Sequence, residues 1–142
     1  MLKGIPSILS PDLLKTLLEM GHGDELVIAD GNFPAASTAA RVLRCDGNGV
    51  PPLLEALLQF FPLDPYVPHP VVLMEVEAGD STPEPPIWKQ YARIIQERER
   101  AVEFEYLPRQ VFYERARRAF AVVATSEPAI YANLILKKGV VA

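Results

Sequence analysis

The spacing of apolar residues divides the chain into alternating helical and extended segments. Leu13, Leu14, Leu17 and Leu18 recur at the interval of one helical face. Ser10, Pro11 and Asp12 precede them as an N-cap, a proline at the first helical position and an acid suited to the helix dipole. The pattern predicts a helix to about Met20, stopped by Gly21 in the left-handed conformation. "ELVIA" (25–29) is a continuous apolar run too short for a helix, which predicts a strand covered on both faces. "RVLRC" (41–45) predicts a second strand, with "DGNG" as its turn. Pro51 and Pro52 open a helical "LLEALLQFF" that Pro62 ends, and "PVVLMEV" (70–76) is a third strand. Ile87, Tyr91, Ile94 and Ile95 place a helix in "IWKQYARIIQERER", with the charged "QERER" as its solvated end. "VEFEY" (102–106) alternates as a strand, "QVFYERARR" (110–118) is a short helix, and "AFAVVAT" and "NLILKK" are closing strands.

Strands interleaved with helices predict an α/β three-layer sandwich, a mostly parallel sheet with helices on both faces. "SEPAIYA", between the last two strands, is too short for a helical crossover. Those strands are therefore expected to pair antiparallel and make the sheet mixed. A chain of 142 residues holds one ordinary core, so a single domain over 1–142 is expected. The prolines of "FFPLDPYVPHP" and "STPEPPIW" read as rigid connectors, and no internal repeat is present.

Composition narrows the function. No apolar run approaches the roughly 18 to 20 residues of a membrane helix, and "MLKGIPSILS" lacks the length of a signal peptide, so a cytoplasmic protein is expected. Cys45 is the sole cysteine, which leaves no disulfide framework and no cysteine-rich zinc site; it reads as a buried small hydrophobe. A formal charge of -4 argues against a phosphate-binding surface for nucleic acid. Kinases, nucleotide-dependent dehydrogenases and nucleophilic hydrolases lack their usual parts, because there is no glycine-rich phosphate loop, no G-x-S-x-G elbow and no cysteine–histidine pair.

The candidate chemistry is sparse. His22 follows a helix C-terminus, where the dipole, Asp24 and Glu25 would all favour a charged imidazole. It reads either as a proton-transfer group or as a cap on the last helical carbonyls. A metal on His22, Asp24 and Glu25 is disfavoured, since adjacent acids point apart in an extended chain, and His69 in "VPHP" is a loop residue. Asp30 ends a buried strand, where open α/β sheets collect ligands, but Asp-Gly-Asn is also a turn former. Arg109 lies between a strand and a helix, placed to hold hydroxyl oxygens or to make a surface ion pair. Arg115, Arg117 and Arg118 read as an exposed helix face, and Phe112 and Tyr113 as core or subunit-contact aromatics. Tyr131 and Asn133, two apart, would share one side of a strand.

The ordered set "MGHGDE…AD…NFPA", "RCDG", "LLEALL", "PLDPYV", "FYERA", "AFAVVAT" and "YANLILKKGV" resembles the fucose mutarotase family, whose relatives include the ribose pyranases. The likeness runs from Pro11 to Val140. It implies a cofactor-free cytosolic sugar isomerase, assembled as a homo-oligomeric ring, a decamer. It also implies roles. His22 matches the family's catalytic histidine and Asp30 its sugar-contacting aspartate, while Arg109 and the segment Tyr131, Ala132 and Asn133 match its other sugar contacts. Tyr131 is then the candidate second proton-transfer group. The chain departs from the family at Ala132, where glycine is common, and at Asn32 and Ala36, where bacterial members often have histidine. Arg109 favours the fucose branch over the ribose branch, where histidine is usual.

One distance bears on assembly. With 23–29 fully extended, His22 and Asp30 would lie on the order of 26 Å apart at roughly 3.3 Å per residue, more than a monosaccharide spans. Either "GHGD" curls back, or the pocket takes His22 from one subunit and Asp30 from its neighbour. The shared pocket is the favoured expectation.

Overall fold

The computed structural model describes residues 1–142. Its helices are α1 (Pro11–Glu19), α2 (Ala35–Thr38), α3 (Val50–Leu57), α4 (Pro86–Arg98) and α5 (Arg109–Arg118). Its strands are β1 (Glu25–Ala29), β2 (Val42–Cys45), β3 (Val71–Met74), β4 (Glu105–Leu107), β5 (Ala121–Thr125) and β6 (Leu134–Lys137). They form one sheet in the order β2-β5-β1-β6-β3-β4. No helix is long and apolar enough to cross a membrane.

The sheet is mixed, as expected, but by a different pairing. β5 and β6 do not touch, because β1 lies between them, parallel to β5 and antiparallel to β6. The short loop 126–133 does turn the chain round at one end of the sheet. It returns over β1 and enters the gap between β1 and β3, so β6 runs against both neighbours. Loop length fixed the direction of the last strand but not its neighbour.

Period-two alternation builds the two cores. Leu26 and Ile28 of β1 face one cluster, packed with Leu13, Leu53, Leu57 and Tyr91 from α1, α3 and α4. Val27 and Ala29 face the other, with Phe33, Phe112 and Ala116 from α5 and the segment before α2. Four of the five β1 side chains, Leu26 to Ala29, are fully buried, which is why the strand reads as an unbroken apolar run after Glu25.

Local signals explain most element ends. Ser10 Oγ accepts from Leu13 N–H at 3.2 Å, the predicted cap of α1. The helix does not stop on a left-handed Gly21. Met20 turns extended and buries its side chain, and the left-handed residue is Gly23, at φ +87. α3 begins without a side-chain cap on Gly49; the buried carboxylate of Glu127 accepts from Val50 N–H at 3.0 Å instead. It ends at Leu57, before the predicted Pro62, with 58–60 in a turn and the N–H groups of Phe60 and Phe61 both donating to the Leu57 carbonyl. α2 was not predicted, since a single helical turn is too short to show a period.

Candidate active site

β1, β2, β3, β4 and β5 all run the same way, since β1 and β3 are both antiparallel to β6 and the others pair in parallel. Their carboxyl ends therefore share one rim of the sheet, where doubly wound folds bind ligands. Asp30 follows β1 there, Glu77 and Asp80 lie beyond β3, Arg109 follows β4, and Asn133 immediately precedes β6. These five side chains and Tyr131 line a cleft of about 430 Å³.

Asp30 is both things its sequence allowed. Its carboxylate accepts from Asn32 N–H at 3.0 Å, the turn-forming bond, and it also lines the cleft. Its own N–H donates to Asn133 Oδ1 at 2.7 Å, which ties the end of β1 to the start of β6. Burial pushes the Asp30 carboxyl above its ordinary value, while the backbone N–H groups of Asn32, Ala132 and Phe33 pull it down. Arg109 is the first residue of α5, with its Nε 3.6 Å from Glu77 Oε1 and its guanidinium 5.8 Å from the Tyr113 ring centroid. The ion pair is real, and it stands in the cleft wall.

Tyr131 and Asn133 meet in the cleft, but not through strand alternation. Tyr131 lies outside β6 and is left-handed at φ 54, the one non-glycine residue with positive φ. Two deeper side chains pin it. Trp88 Nε1–H donates to the Tyr131 carbonyl at 2.8 Å, and the Tyr91 hydroxyl donates to the Ala132 carbonyl at 2.7 Å. Ala132 is wholly buried and faces the core, with only its backbone turned to the site. The left-handed freedom for which a glycine would serve is thus needed one residue earlier.

Burial pushes the Tyr91 phenol far up, with the carboxylates of Glu127 and Asp30 adding to it, so it remains a donor. Tyr91→Phe should therefore leave the Ala132 carbonyl without this donor. A loss of about 1–3 kcal/mol is expected, read as a lower urea midpoint at unchanged slope.

His22 is not in this cleft. It precedes β1, whereas Asp30 follows it, so the two occupy opposite ends of the sheet. The "GHGD" segment does curl: Asp24 N–H donates to the Gly21 carbonyl at 3.2 Å, and Gly21 N–H to Asp24 Oδ2 at 2.7 Å. The turn does not carry His22 toward Asp30, because Gly23 N–H is held by the Lys138 carbonyl beyond β6. Nor does His22 cap α1. Its Nε2 lies 3.1 Å from Asp64 Oδ1, and its ring centroid 5.6 Å from that of Tyr66. Its side chain is 45 % exposed, against 3 % for Asp64. The Tyr66 backbone N–H foremost, then His22, hold the Asp64 carboxyl below its ordinary value. Asp24 and Glu25 are otherwise engaged, Glu25 by a 2.5 Å ion pair to Arg115, which is thus no exposed surface arginine. His69 is a loop residue, as expected, with Nδ1 3.1 Å from the Glu103 carbonyl.

Asp64, Glu77 and Asp80 were missed from the sequence. Asp64 lies in the connector "FFPLDPYVPHP", and Glu77 and Asp80 in "EAGD" just before "STPEPPIW", where no local pattern separates such an acid from a turn former.

The family model described as the RbsD / FucU transport protein family matches residues 3–141. The chain is 49% identical over 146 residues to a fucose mutarotase of Homo sapiens, covering 99% of this chain and 95% of that one. It is 47% identical over 141 residues to an L-fucose mutarotase of Actinobacillus pleuropneumoniae, covering 99% and 97%. Its fold matches the crystal structure of a fucose mutarotase from Streptococcus pneumoniae in complex with L-fucose at a TM-score of 0.93, with 50% identity and coverage of 99% and 100%. Bacillus subtilis RbsD complexed with D-ribose matches at a TM-score of 0.74, with 25% identity over the whole of both chains. The match over nearly the entire chain, on a sheet whose carboxyl rim holds the cleft, means that this chain belongs to the RbsD / FucU family.

Proposed function

We propose that the protein is an L-fucose mutarotase, interconverting the α and β anomers by opening and reclosing the sugar ring. The observation that carries this reading is the likeness, at 50% identity and a TM-score of 0.93, to a mutarotase structure holding L-fucose. The cleft supports it. Asp30, Asp80, Glu77 and Asn133 offer acceptors for hydroxyl groups and Arg109 offers donors, while three carboxylates against one guanidinium disfavour a phosphorylated sugar. The ligand class that fits is a neutral monosaccharide.

Mutarotation needs one group to take the proton of the anomeric hydroxyl and another to protonate the ring oxygen. It needs no redox step and no covalent nucleophile, so the reaction calls for no cofactor. His22 is the general acid/base and Tyr131 the second proton-transfer group. Asp30, Arg109 and Asn133 orient the hydroxyls, with the backbone at Ala132 beside them. Asp64 orients His22 by holding Nε2, which leaves Nδ1 for the sugar.

The working site is shared between subunits. His22 is half-exposed and at the far end of β1 from Asp30, so the cleft receives a neighbouring copy's imidazole. A cytoplasmic homo-oligomer, a decameric ring of single domains spanning 1–142, is the assembly this reading carries.

Saturation-transfer NMR tests it. Added protein should speed exchange between the fucose anomers, by the roughly 10²- to 10⁴-fold typical of general acid–base catalysis. Faster exchange among the ribose forms instead would place the chain with the pyranases. Fucose binding without faster exchange would make it a sugar-binding module.

A further inference from the structure

The hydroxyl of Tyr131 is already engaged by the loop after β3. It donates to Asp80 Oδ2 at 2.5 Å and accepts from Glu77 N–H at 3.3 Å. A phenol has one proton and two lone pairs, so what remains for a ligand in the cleft is a single lone pair. Tyr131 therefore meets a sugar hydroxyl as an acceptor. Asp80 is itself aimed: its Oδ1 accepts from Thr82 N–H at 2.8 Å and from Thr82 Oγ1 at 2.5 Å, which turns Oδ2 to the phenol. The left-handed backbone of Tyr131 is an unusual conformation held in place at this site, as functional positions often show.

We propose that Asp80 is a positioning residue for ring opening, accepting the phenolic proton of Tyr131 as Tyr131 takes the proton of the anomeric hydroxyl. The proposal rests on the mutarotase reading and on Tyr131's part in it. In the step, the O1–H bond breaks and its proton goes to Tyr131 Oη, while the Tyr131 proton passes to Asp80 Oδ2. The O1 electron pair forms the C1 carbonyl, and the C1–O5 pair leaves onto the ring oxygen. That oxygen takes a proton from the protonated His22 of the neighbouring subunit. The open-chain sugar is neutral, Asp80 holds one added proton and His22 has lost one. Closure on the other face of C1 returns both.

The resting charges set the state from which the relay starts, an Asp80 anion and a neutral Tyr131 phenol, and the phenolic proton leaves only as the proton of O1 arrives. Thr82's hydroxyl foremost, then Tyr131, hold the Asp80 carboxyl below its ordinary value, and Asp80 in turn pushes the Tyr131 phenol up. The charged groups facing the pair are Glu77, whose N–H shares the phenol, Arg109 at 3.6 Å from Glu77, and Asp30 on the same cleft.

The test is fucose anomer exchange by saturation-transfer NMR on the intact oligomer across a pH series. The wild-type rate should fall on the acid side as Asp80 is protonated. Asp80→Asn should lower kcat by roughly 10- to 100-fold, the loss seen when an outer partner of a working ligand is removed at metal sites, with KM little changed. It should also abolish that acid limb. Tyr131→Phe should cost about 10²-fold or more, and the double variant should be no slower than Tyr131→Phe alone. Thr82→Val keeps the carboxylate but loses one donor to it, so the acid limb should move to higher pH.

An Asp80→Asn enzyme with the wild-type rate and pH profile would overturn the relay while leaving Tyr131 in place. So would an acid limb that Thr82→Val does not move. A Tyr131→Phe enzyme at full rate would remove Tyr131 from the chemistry and the relay with it. A wild-type protein without effect on fucose exchange would sink the mutarotase reading itself.

Discussion

Replacing His22 with asparagine should return anomer exchange to the rate of fucose in buffer. Asparagine keeps a hydrogen-bonding amide but has no group that takes and gives a proton near neutrality. The loss should therefore equal the whole acid–base contribution, about 10²- to 10⁴-fold, rather than a fraction of it. The fold should survive. The His22 side chain is 45 % exposed, and its hydrogen bond goes to a carboxylate that the Tyr66 N–H also holds, at 3.0 Å. Losing one part-exposed hydrogen bond costs roughly 1 kcal/mol, which unfolding in urea would show beside the NMR rate. Fucose should still bind, because Asp30, Arg109 and Asn133 are untouched. Exchange at the wild-type rate in a folded His22→Asn protein would remove the imidazole from the mechanism.

What the sequence could say about this site depended on how far the relevant partners lie along the chain. Local pattern put Asp30 at the end of an apolar run, on the sheet's carboxyl rim, but left a turn former open, and only the family resemblance chose between them. Arg109, between a strand and a helix, was likewise open between a hydroxyl contact and an ion pair until the resemblance was weighed. The partners that give those residues their setting are remote. His22 meets Asp64 across 42 positions, Tyr131 meets Asp80 across 51, and Asp30 meets Asn133 across 103. No periodicity links such pairs; only the sheet order brings them together.

The fold shows the same division. Each predicted strand is present, because a strand announces itself locally, but only β1 keeps its predicted bounds; β2, β3, β5 and β6 are shorter, and β4 is Glu105–Leu107 rather than 102–106. The pairing of β6 did not follow, because which gap a returning strand enters is decided by packing on both of its sides. Period-two reasoning put Tyr131 and Asn133 together for the wrong cause. What gathers them is the turn held by Tyr91, which its spacing assigned only to a helix face, and by Trp88, which the spacing did not single out.

The separation of His22 from Asp30 leads to the strongest test of the assembly. If the site is shared as proposed, purified His22→Asn and Asp30→Asn proteins should each be close to inactive, since each would lack one half of every site. Unfolded together and refolded as mixed oligomers, they should regain activity. A site is intact where an Asp30→Asn subunit supplies His22 and a His22→Asn neighbour supplies Asp30, which for random equal mixing is about one interface in four. Recovery to about a quarter of the wild-type rate, from a background on the order of 10²-fold lower, is a gain that no site contained in one chain can give. If the pocket were closed within each subunit, every subunit would still carry one lesion, and mixing would leave the rate where it began. The double variant His22→Asn/Asp30→Asn mixed with wild type separates the cases further. An intact site then needs two wild-type neighbours, so sharing predicts about a quarter of full activity at equal proportions, whereas self-contained sites predict about a half.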